Sequence, residues 1–432
     1  MNSLWSSTQS LPRFPALEGH RKTDVLIIGG GITGILCAHF LKEAGVDYTL
    51  VEADRICRGV TGNTTAKITA QHGLIYHKLI RRFGAEQARM YLEANRAALE
   101  QYRLLSAHID CDFEEKDNYV YSIDSPAKLD QELKALDTLG LTGDFTDRAP
   151  LPFHIAGAVK FPKQGQFHPL KFVSALAKGL NIYENTRVLS FDGRNMITDQ
   201  GAITAEKTIV ATHFPLFNKH GAYFLKLYQH RSYVLALEGG PDVDGMYVDE
   251  ADDGLSFRNY KGMLLLGGGG HRTGKSGDGW AEPDSFFRLH YPDAREVFRW
   301  AAQDCMSLDG VPYIGRYAKS TPNLYVATGF NKWGMTSSMA AAMMLRDMVQ
   351  EKESPFAPVF SPSRTILRPQ LAVNAAEAVS HLLTLSRPRC PHMGCALKWN
   401  PQEHSWDCPC HGSRFSEEGK VLDNPANVDL RR

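Results

Sequence analysis

The sequence has no excess of charge of either sign and no long apolar run. Its 432 residues include 48 Lys and Arg against 48 Asp and Glu. This balance argues against nucleic acid or an anionic membrane as the main partner. Since no apolar run reaches about 18 residues, no transmembrane helix is expected. The first residues also lack the basic and apolar regions of a secretory signal, so we expect a cytoplasmic location.

Cysteine is scarce as well. Eight cysteines in 432 residues are too few to hold the chain together as a disulfide scaffold. The length instead allows about two or three domains with ample core. Half of the cysteines are concentrated in two short loops near the C-terminus, CPHMGC from Cys390 to Cys395 and CPCHGS from Cys408 to Ser413. Each loop also contains one histidine.

The pattern of these loops resembles the Rieske [2Fe–2S] family. A Rieske cluster holds one iron with two thiolates and the other with two imidazoles, which raises its reduction potential. The resemblance implies the ligand set Cys390, Cys408, His392 and His411. It also implies a disulfide between Cys395 and Cys410, and a hydrogen bond from Ser413 to a cluster sulfur. Such a cluster carries one electron at a time.

Two features depart from the family pattern. Phe415 stands where high-potential members often have Tyr, so one hydroxyl donor is missing and we expect a lower potential. Residues 369–385 have the spacing of a helix, and the usual strands before the first loop are not apparent. We therefore expect a cluster-binding domain over 388–432 with a trimmed supporting sheet, after a linker and helix over 351–387.

Zinc is the alternative metal for these two C-terminal loops. Zinc also takes two Cys and two His, usually as C-x-x-C followed by an H-x-H type of spacing. It would leave Cys395 and Cys410 without a role. The Cys-His-Cys-His order therefore favours the iron–sulfur cluster.

A dinucleotide-binding unit lies at the other end of the chain. The apolar strand DVLII over 24–28 precedes Gly29, Gly31 and Gly34 in the order G-x-G-x-x-G. A helical stretch follows, and a second strand, DYTLVE, ends at Glu52. The glycines let the backbone approach a pyrophosphate at the helix N-terminus, and Glu52 can accept hydrogen bonds from a ribose.

Later segments resemble the D-amino-acid-oxidase-like family, which includes glycine and sarcosine oxidases, and this resemblance implies FAD. The stretch GVTGNTTAKITAQHG over 59–73, the strands over 184–191, 207–215 and 321–330, and the helix that follows match family segments. In the family, that helix points its N-terminus at the flavin pyrimidine, where it stabilises negative charge. The residues implied to bind FAD are Thr61, Gly62, Asn63, Thr64, Thr65, Lys67, Val188, Thr212, Gly329, Gly334 and Met335.

The expected fold class is α/β, and α+β over the whole chain. A Rossmann-like FAD-binding domain, assembled from about 20–80, 155–220 and 305–350, is expected to carry a substrate domain built from about 85–150 and 225–300. Residues 85–150 are expected to be mainly helical, with Leu129, Leu133, Leu136 and Leu139 in the core. The two inserts together are expected to form an antiparallel sheet that roofs the flavin.

The resemblance implies an oxidoreductase that transfers hydride from a small amine or amino acid to FAD. The candidates for orienting the substrate are Arg231, Tyr233, His271 and Arg272. Electrons would leave through the cluster to an external acceptor near His392 and His411, which lie at the exposed tip in Rieske proteins. The alternative is a redox carrier or sensor without turnover of a small molecule. Cys305 raises a further alternative, covalent attachment of the flavin.

Overall fold

A computed structural model describes residues 2–217, 220–385 and 388–430. Parts of the predicted FAD-binding, linker and cluster segments, namely 218–219, 386–387 and 431–432, lie outside the described residues. The strands are β1 (Gly19–Ile28), β2 (Tyr48–Val51), β3 (Lys67–Ile68), β4 (Glu114–Ser122), β5 (Asp144–Thr146), β6 (Gly157–Gln166), β7 (Ile182–Tyr183), β8 (Val188–Asp192), β9 (Asn195–Thr198), β10 (Gly201–Val210), β11 (Leu227–Glu238), β12 (Met246–Asp249), β13 (Ser256–Tyr260), β14 (Met263–Arg272), β15 (Arg295–Ser307), β16 (Tyr313–Ala318), β17 (Thr321–Thr328), β18 (Lys398–Asn400), β19 (Ser405–Asp407), β20 (Arg414–Ser416) and β21 (Val421–Asp423).

The helices are α1 (Leu4–Thr8), α2 (Ile32–Glu43), α3 (Tyr76–Ser106), α4 (Pro126–Thr138), α5 (Pro169–Leu176), α6 (Tyr223–Lys226), α7 (Ala281–His290), α8 (Gly334–Val349), α9 (Ala357–Phe360) and α10 (Pro369–Leu383), with a 3₁₀ turn at Val60–Asn63. In the described part of the chain, every helix is too short or too polar to cross a bilayer.

The first sheet contains the dinucleotide unit. It has eight strands, with the order β16-β17-β10-β1-β2-β7 and the β8–β9 hairpin beside β10. Strand β1 runs parallel to β2 and β10, and its second half, Val25–Ile28, is buried. A strand buried on both faces is typical of a parallel sheet that helices cover. Helix α2 begins at Ile32, directly after the glycine loop, and packs against α8. The Rossmann-like expectation is confirmed.

The second sheet covers the first, and we call it the roof sheet. It has nine strands, in the order β15-β11-β14-β13-β12-β4-β6-β3, with β5 beside β6. All its pairs are antiparallel except β12 with β4, in agreement with the expected roof.

Residues 85–150 are mainly helical, as expected, but they also contribute a strand to the middle of the roof sheet. Helices α3 and α4 occupy much of this region, and Leu129 and Leu136 of α4 are fully buried as expected. Strand β4, however, lies inside the roof sheet between β12 and β6. Its buried end contains Val120 and Tyr121, residue types that favour strands, and its partners come from distant sequence. Strand β6 also belongs to the roof sheet, although it falls within the expected FAD-binding range 155–220.

The C-terminal part forms a small antiparallel sheet, β18-β19-β20-β21. Each of its strands has three residues, so the sheet is as small as expected. Helix α10 covers most of the predicted helix over 369–385. The cluster cysteines pack with Leu397, Phe415 and Ala426 in a separate small core.

Candidate functional site

A large cavity lies between the Rossmann-like sheet and the roof sheet. Its volume is about 1120 Å³, and it reaches from the glycine loop to the roof strands. Most of the residues that the sequence assigned to FAD line it: Gly29, Gly31, Glu52, Thr61, Asn63, Thr64, Thr65, Lys67, Val188, Thr212, Gly329, Gly334 and Met335. Gly34 and Gly62 lie behind the wall, where they permit close backbone packing. A Cβ at Gly34 would be 1.9 Å from the Gly29 carbonyl oxygen, and one at Gly62 would be 2.7 Å from the Cys57 carbonyl oxygen.

Glu52 is held beside the glycine loop. Its carboxylate accepts hydrogen bonds from the backbone N–H of Gly30 at 2.7 Å and of Asp54 at 3.0 Å. Burial raises the pKa of Glu52, although these backbone donors partly oppose the effect. Thr61 accepts from the N–H of Ile32 at the start of α2. The geometry therefore suits a carboxylate that receives ribose hydroxyls next to a pyrophosphate-binding turn.

The other end of the cavity is formed by the start of α8. Trp333 precedes Gly334, and its ring stacks on His72 with 5.0 Å between the ring centroids. His72 is hydrogen-bonded to Tyr91 at 2.6 Å and to Thr336 at 2.9 Å, and burial lowers its pKa to about 3. A neutral imidazole here adds no charge to the positive end of the helix dipole. The first N–H groups of the helix can thus serve an electron-rich ring.

Lys67 supports an anionic occupant of the cavity. Its ammonium group lies 3.4 Å from the Thr65 hydroxyl, and no carboxylate pairs with it among the described residues. Burial and the nearby Arg258 lower the pKa of Lys67 to about 7. Because Lys67 has no acidic partner there, a bound anion such as a diphosphate or a substrate carboxylate would stabilise its charged form. The residues present therefore fit FAD.

The roof side of the cavity carries polar groups that the sequence interpretation missed. Tyr228 and Ser232 of β11 and Asp304 of β15 all line the cavity. The Ser232 hydroxyl lies 3.2 Å from Asp304 Oδ2, and burial raises the pKa of Asp304. A signal for Asp304 was present, because Ala302, Asp304 and Met306 alternate along β15 toward the cavity.

The four substrate-orienting candidates come together only in part, because Arg272 is engaged elsewhere. Tyr233 lines the cavity, and its hydroxyl lies 2.9 Å from His271 Nε2. Arg231 is buried and pairs with Glu403 of the C-terminal domain. Arg272 donates to Asn374 Oδ1 at 2.8 Å and to two carbonyls of the second cluster loop. Arg231 and Tyr233 lie on one face of β11, as expected, and the Arg231 guanidinium carbon is 6.0 Å from the centroid of the Tyr233 ring.

Cys305 points away from the cavity. It is 2% exposed and packs with Phe214 and Tyr313 in the core beneath the sheet, while its neighbours Asp304 and Met306 line the cavity. Burial raises the pKa of its thiol to about 12, so the nucleophilic thiolate is disfavoured. This environment does not suit covalent attachment of a flavin.

The two C-terminal loops bring the predicted cluster ligands together. Cys390 and Cys408 are buried, and the rings of His392 and His411 lie 5.0 Å apart between centroids. Both nitrogens of His392 and Nδ1 of His411 are buried without a hydrogen-bond partner among the described residues. Orphaned buried nitrogens of this kind are expected where an inorganic ligand belongs. Cys395 and Cys410 form a disulfide, as the resemblance implied.

The protonation states in these loops suit metal ligation. Burial lowers the pKa of His392 to about 4 and that of His411 to about 3, so both imidazoles are neutral at pH 7. Hydrogen bonds from Cys408 and from Ser413 lower the pKa of the Cys390 thiol, against the effect of burial, whereas the contact with Cys390 and burial raise the pKa of Cys408. Neutral imidazoles and a thiolate are the forms that bind metal. The residues therefore fit a [2Fe–2S] cluster.

His392 and His411 form one edge of the cluster site, which we call the histidine edge. This edge differs from the exposed tip that the resemblance implied. His411 is 5% exposed, and its ring lies against Phe214 and Phe224, at 6.3 Å between centroids in each case. The His392 ring lies 6.0 Å from Phe214. In the first loop, by contrast, Met393 is 40% exposed. The histidines thus face the FAD-binding part of the chain.

Comparison with known proteins identifies both parts. A family model described as FAD dependent oxidoreductase matches residues 24–348, and one described as Rieske [2Fe-2S] domain matches residues 363–432. A Bacillus subtilis (strain 168) protein, YhfW, whose name describes it as a Rieske 2Fe-2S iron-sulfur protein, is 35% identical and covers 100% of this chain and 97% of its own.

More distant relatives match the oxidoreductase part. The gamma-glutamylputrescine oxidoreductase of Escherichia coli (strain K12) is 24% identical, with 86% of this chain and 95% of its own covered. The crystal structure of glycine oxidase from Geobacillus kaustophilus superposes with a TM-score of 0.66 at 20% identity, over 80% of this chain and 99% of that one. The chain belongs to the family of FAD dependent oxidoreductases and ends in a Rieske [2Fe–2S] domain.

Proposed function

We propose that this chain oxidises a small amine or amino acid at FAD and passes the electrons through its Rieske cluster to an external acceptor. Bound FAD would accept hydride from the substrate carbon as the nitrogen lone pair forms the C=N bond. The amine thus gives up two electrons and two protons and becomes an imine, which water can hydrolyse. The cluster carries one electron at a time, so two transfers and two acceptor equivalents complete each turnover.

The observation that carries the proposal is the polar roof over the flavin cavity. Asp304, Ser232 and Tyr228 line the cavity, as does the start of α8. The Asp304 carboxylate can accept hydrogen bonds from the substrate nitrogen and hold it for hydride loss, and Tyr233 closes the same wall. We keep Tyr233 as an orienting residue. We assign Arg231 and Arg272 to domain contacts, because Arg231 pairs with Glu403 and Arg272 donates to Asn374.

Two further observations bear on substrate class and location. Lys67 lines the cavity without an acidic partner among the described residues, so it is the candidate for a carboxylate of an amino-acid substrate if FAD phosphate does not use it. The names of the relatives and neighbours include both an amine and an amino acid as substrates. A cytoplasmic location is part of the proposal, because Cys37, Cys57, Cys111 and Cys305 remain free thiols, as in a reducing compartment.

The acceptor is proposed to approach from the first cluster loop. The predicted position near His392 and His411 needs this refinement, because His411 is covered whereas Met393 is 40% exposed.

The second candidate function is a redox carrier or sensor without turnover. The polar groups of the roof disfavour it, since a carrier needs no substrate pocket beside its flavin.

An anaerobic screen tests the proposal. Purified holoprotein is mixed with amines and amino acids, flavin bleaching is followed by absorbance, and cluster reduction is followed by EPR. We expect at least one compound to bleach the flavin and then reduce the cluster. A bleached flavin with a permanently oxidised cluster would contradict the relay. Failure of every amine and amino acid to bleach a flavin that dithionite does reduce would favour the carrier.

A further inference from the structure

One short turn lies between the two cofactor sites. Strand β10 ends at Val210, and the next residues turn back over the end of the sheet. Thr212 and His213 line the FAD cavity, while Phe214 is fully buried on the other side of the turn. The Phe214 ring lies 6.0 Å from the ring of His392 and 6.3 Å from that of His411, measured between centroids. Three consecutive residues thus connect the cavity wall with both histidine ligands.

The turn is fixed to the dinucleotide loop. Ala211 donates to the Ile28 carbonyl at 2.8 Å, and a Cβ at Gly29 would lie 2.6 Å from the Ala211 carbonyl oxygen. Phe214 donates its N–H to Thr212 at 2.8 Å, and the Thr328 hydroxyl donates to the His213 carbonyl. His213 adopts a positive φ of 66°, which places the cavity-facing and cluster-facing residues on opposite sides. The position of Phe214 is therefore determined by the FAD site.

The cluster loop is held against the same turn. Asn424 of the C-terminal domain donates to the carbonyls of Thr212 and Phe214. Gln303 donates to the Gly412 carbonyl at 2.9 Å, and Gly412 lies so close to Gln229 that a Cβ would be 2.2 Å from its Cγ. Because Gly412 follows His411 directly, these contacts hold the histidine edge against the FAD-binding part and away from solvent.

We propose that the histidine edge is where electrons enter the cluster, and that Phe214 is the positioning residue through which they arrive from FAD. This inference rests on the proposed function, since it places the internal transfer of that relay. Each reduced flavin gives up its two electrons singly through Phe214, and its protons go to solvent. The cluster passes each electron to the external acceptor from another side, because the FAD-binding part covers the edge at His411.

Three substitutions separate the ring from mere packing. Phe214→Met removes the ring but fills most of its volume. Phe214→Tyr keeps the ring. Phe224→Met is the matched control, because Phe224 contacts His411 and is not part of the turn that lines the cavity. Iron content, FAD content and the cluster reduction potential are measured for all proteins, so that any change in rate is not a change in loading or driving force.

The experiment uses a light flash in place of a substrate. FAD in the anaerobic holoprotein is photoreduced with EDTA, and cluster reduction is followed by absorbance and by freeze-quench EPR. We expect Phe214→Met to slow the transfer by about tenfold or more at unchanged potential, because the electronic coupling between the two cofactors is weakened. Phe224→Met and Phe214→Tyr should stay close to the original rate.

The outcomes distinguish two failures. If the unaltered protein reduces its cluster and Phe214→Met does so equally fast, the inference is overturned while the proposed function stands. The inference is also overturned if Phe214→Tyr or Phe224→Met transfers electrons as slowly as Phe214→Met. In that case the Phe214 ring would not be the cause of the slow transfer. If the unaltered cluster stays oxidised, the relay is wrong and the inference falls with it.

Discussion

Arg231 of β11 forms a buried ion pair with Glu403, which lies between β18 and β19. The side chains are only 4% and 7% exposed. Glu403 also pairs with Arg414, which in turn contacts Asp407 and Asp423 at 3.0 Å each. A residue on the roof of the FAD site is thus part of a charge network in the Rieske domain. This network explains why Arg231 is not available as a substrate clamp.

Removal of the Arg231 charge should weaken the junction strongly. Arg231→Met leaves Glu403 buried with Arg414 as its remaining partner, so we expect a loss of about 3 kcal/mol in the free energy of unfolding. Urea unfolding, followed by cluster absorbance, measures it. The matched control is Arg295→Met, since Arg295 and Glu238 form a pair whose side chains are 73% and 59% exposed. It should cost at most about 1 kcal/mol. Equal stability of the two variants would contradict the prediction.

The reduction potential of the cluster should depend on Ser413. Its hydroxyl hydrogen-bonds to Cys390, so Ser413→Ala removes a donor that stabilises the more negative, reduced cluster. We expect a lower potential in a redox titration monitored by EPR. Ser416→Ala makes the same chemical change on the exposed side of β20, where the hydroxyl accepts from Lys420, and should leave the potential unaltered. A Ser413→Ala potential equal to that of Ser416→Ala would refute the assigned role.

Phe415 allows the opposite change. The ring is fully buried and packs with the cluster cysteines. Phe415→Tyr adds a hydroxyl that can donate toward the cluster sulfurs, so we expect a higher potential in the same titration. A potential that falls or stays the same would show that the hydroxyl does not reach them.

The parts of the site that were predictable depend on short-range patterns. Gly29, Gly31 and Gly34 follow a spacing over a few residues that the sequence shows directly, and the cluster ligands follow a spacing inside two loops. Such patterns survive without knowledge of tertiary structure. Strand β4 was not predicted, because its register depends on β12 and β6, which are distant in sequence.

Residues whose role is set by distant partners could not be assigned. Arg231 and Glu403 are 172 positions apart, and Arg272 and Pro409 are 137 apart. The sequence shows an arginine on a strand near a ligand site, but not which domain will neutralise it. The same limitation applied to His411, whose burial depends on Phe214 and Phe224.

Asp304 should determine the fall in activity on the acid side of the pH–rate profile, which we call the acid limb. Burial raises the pKa of this carboxyl above its ordinary value of 3.8, so activity should fall as the pH decreases through the raised value. Asp304→Asn should lower kcat/KM by about a hundredfold, a typical effect of removing a proton-handling group, and should lose this limb. Asp304→Glu keeps a carboxylate and should restore part of the activity and the limb. Identical pH profiles for the original protein and Asp304→Asn would exclude the role.

The ion pair between Asp309 and Arg364 should contribute stability that is lost at low pH. Arg364 donates to both carboxylate oxygens at 2.8 Å, and the Asp309 side chain is fully buried. Burial alone would raise the pKa of Asp309, but the hydrogen bonds and charge of Arg364 lower it below 3.8. As the pH falls, the folded state therefore binds this proton at a lower pH than the unfolded state does. The contribution is complete above the unfolded pKa and is lost as the pH falls through the folded one.

Asp309→Asn tests this dependence. It leaves Arg364 charged and partly unpaired, so we expect a loss of about 3 kcal/mol in the free energy of unfolding at pH 7. The difference from the original protein should shrink as the pH falls below about 4, where the carboxyl begins to gain its proton in the unfolded chain. Urea unfolding at a series of pH values measures it, with the exposed Asp137→Asn as the control. A difference that stays constant down to the acid transition would mean that the charge on Asp309 does not stabilise the fold.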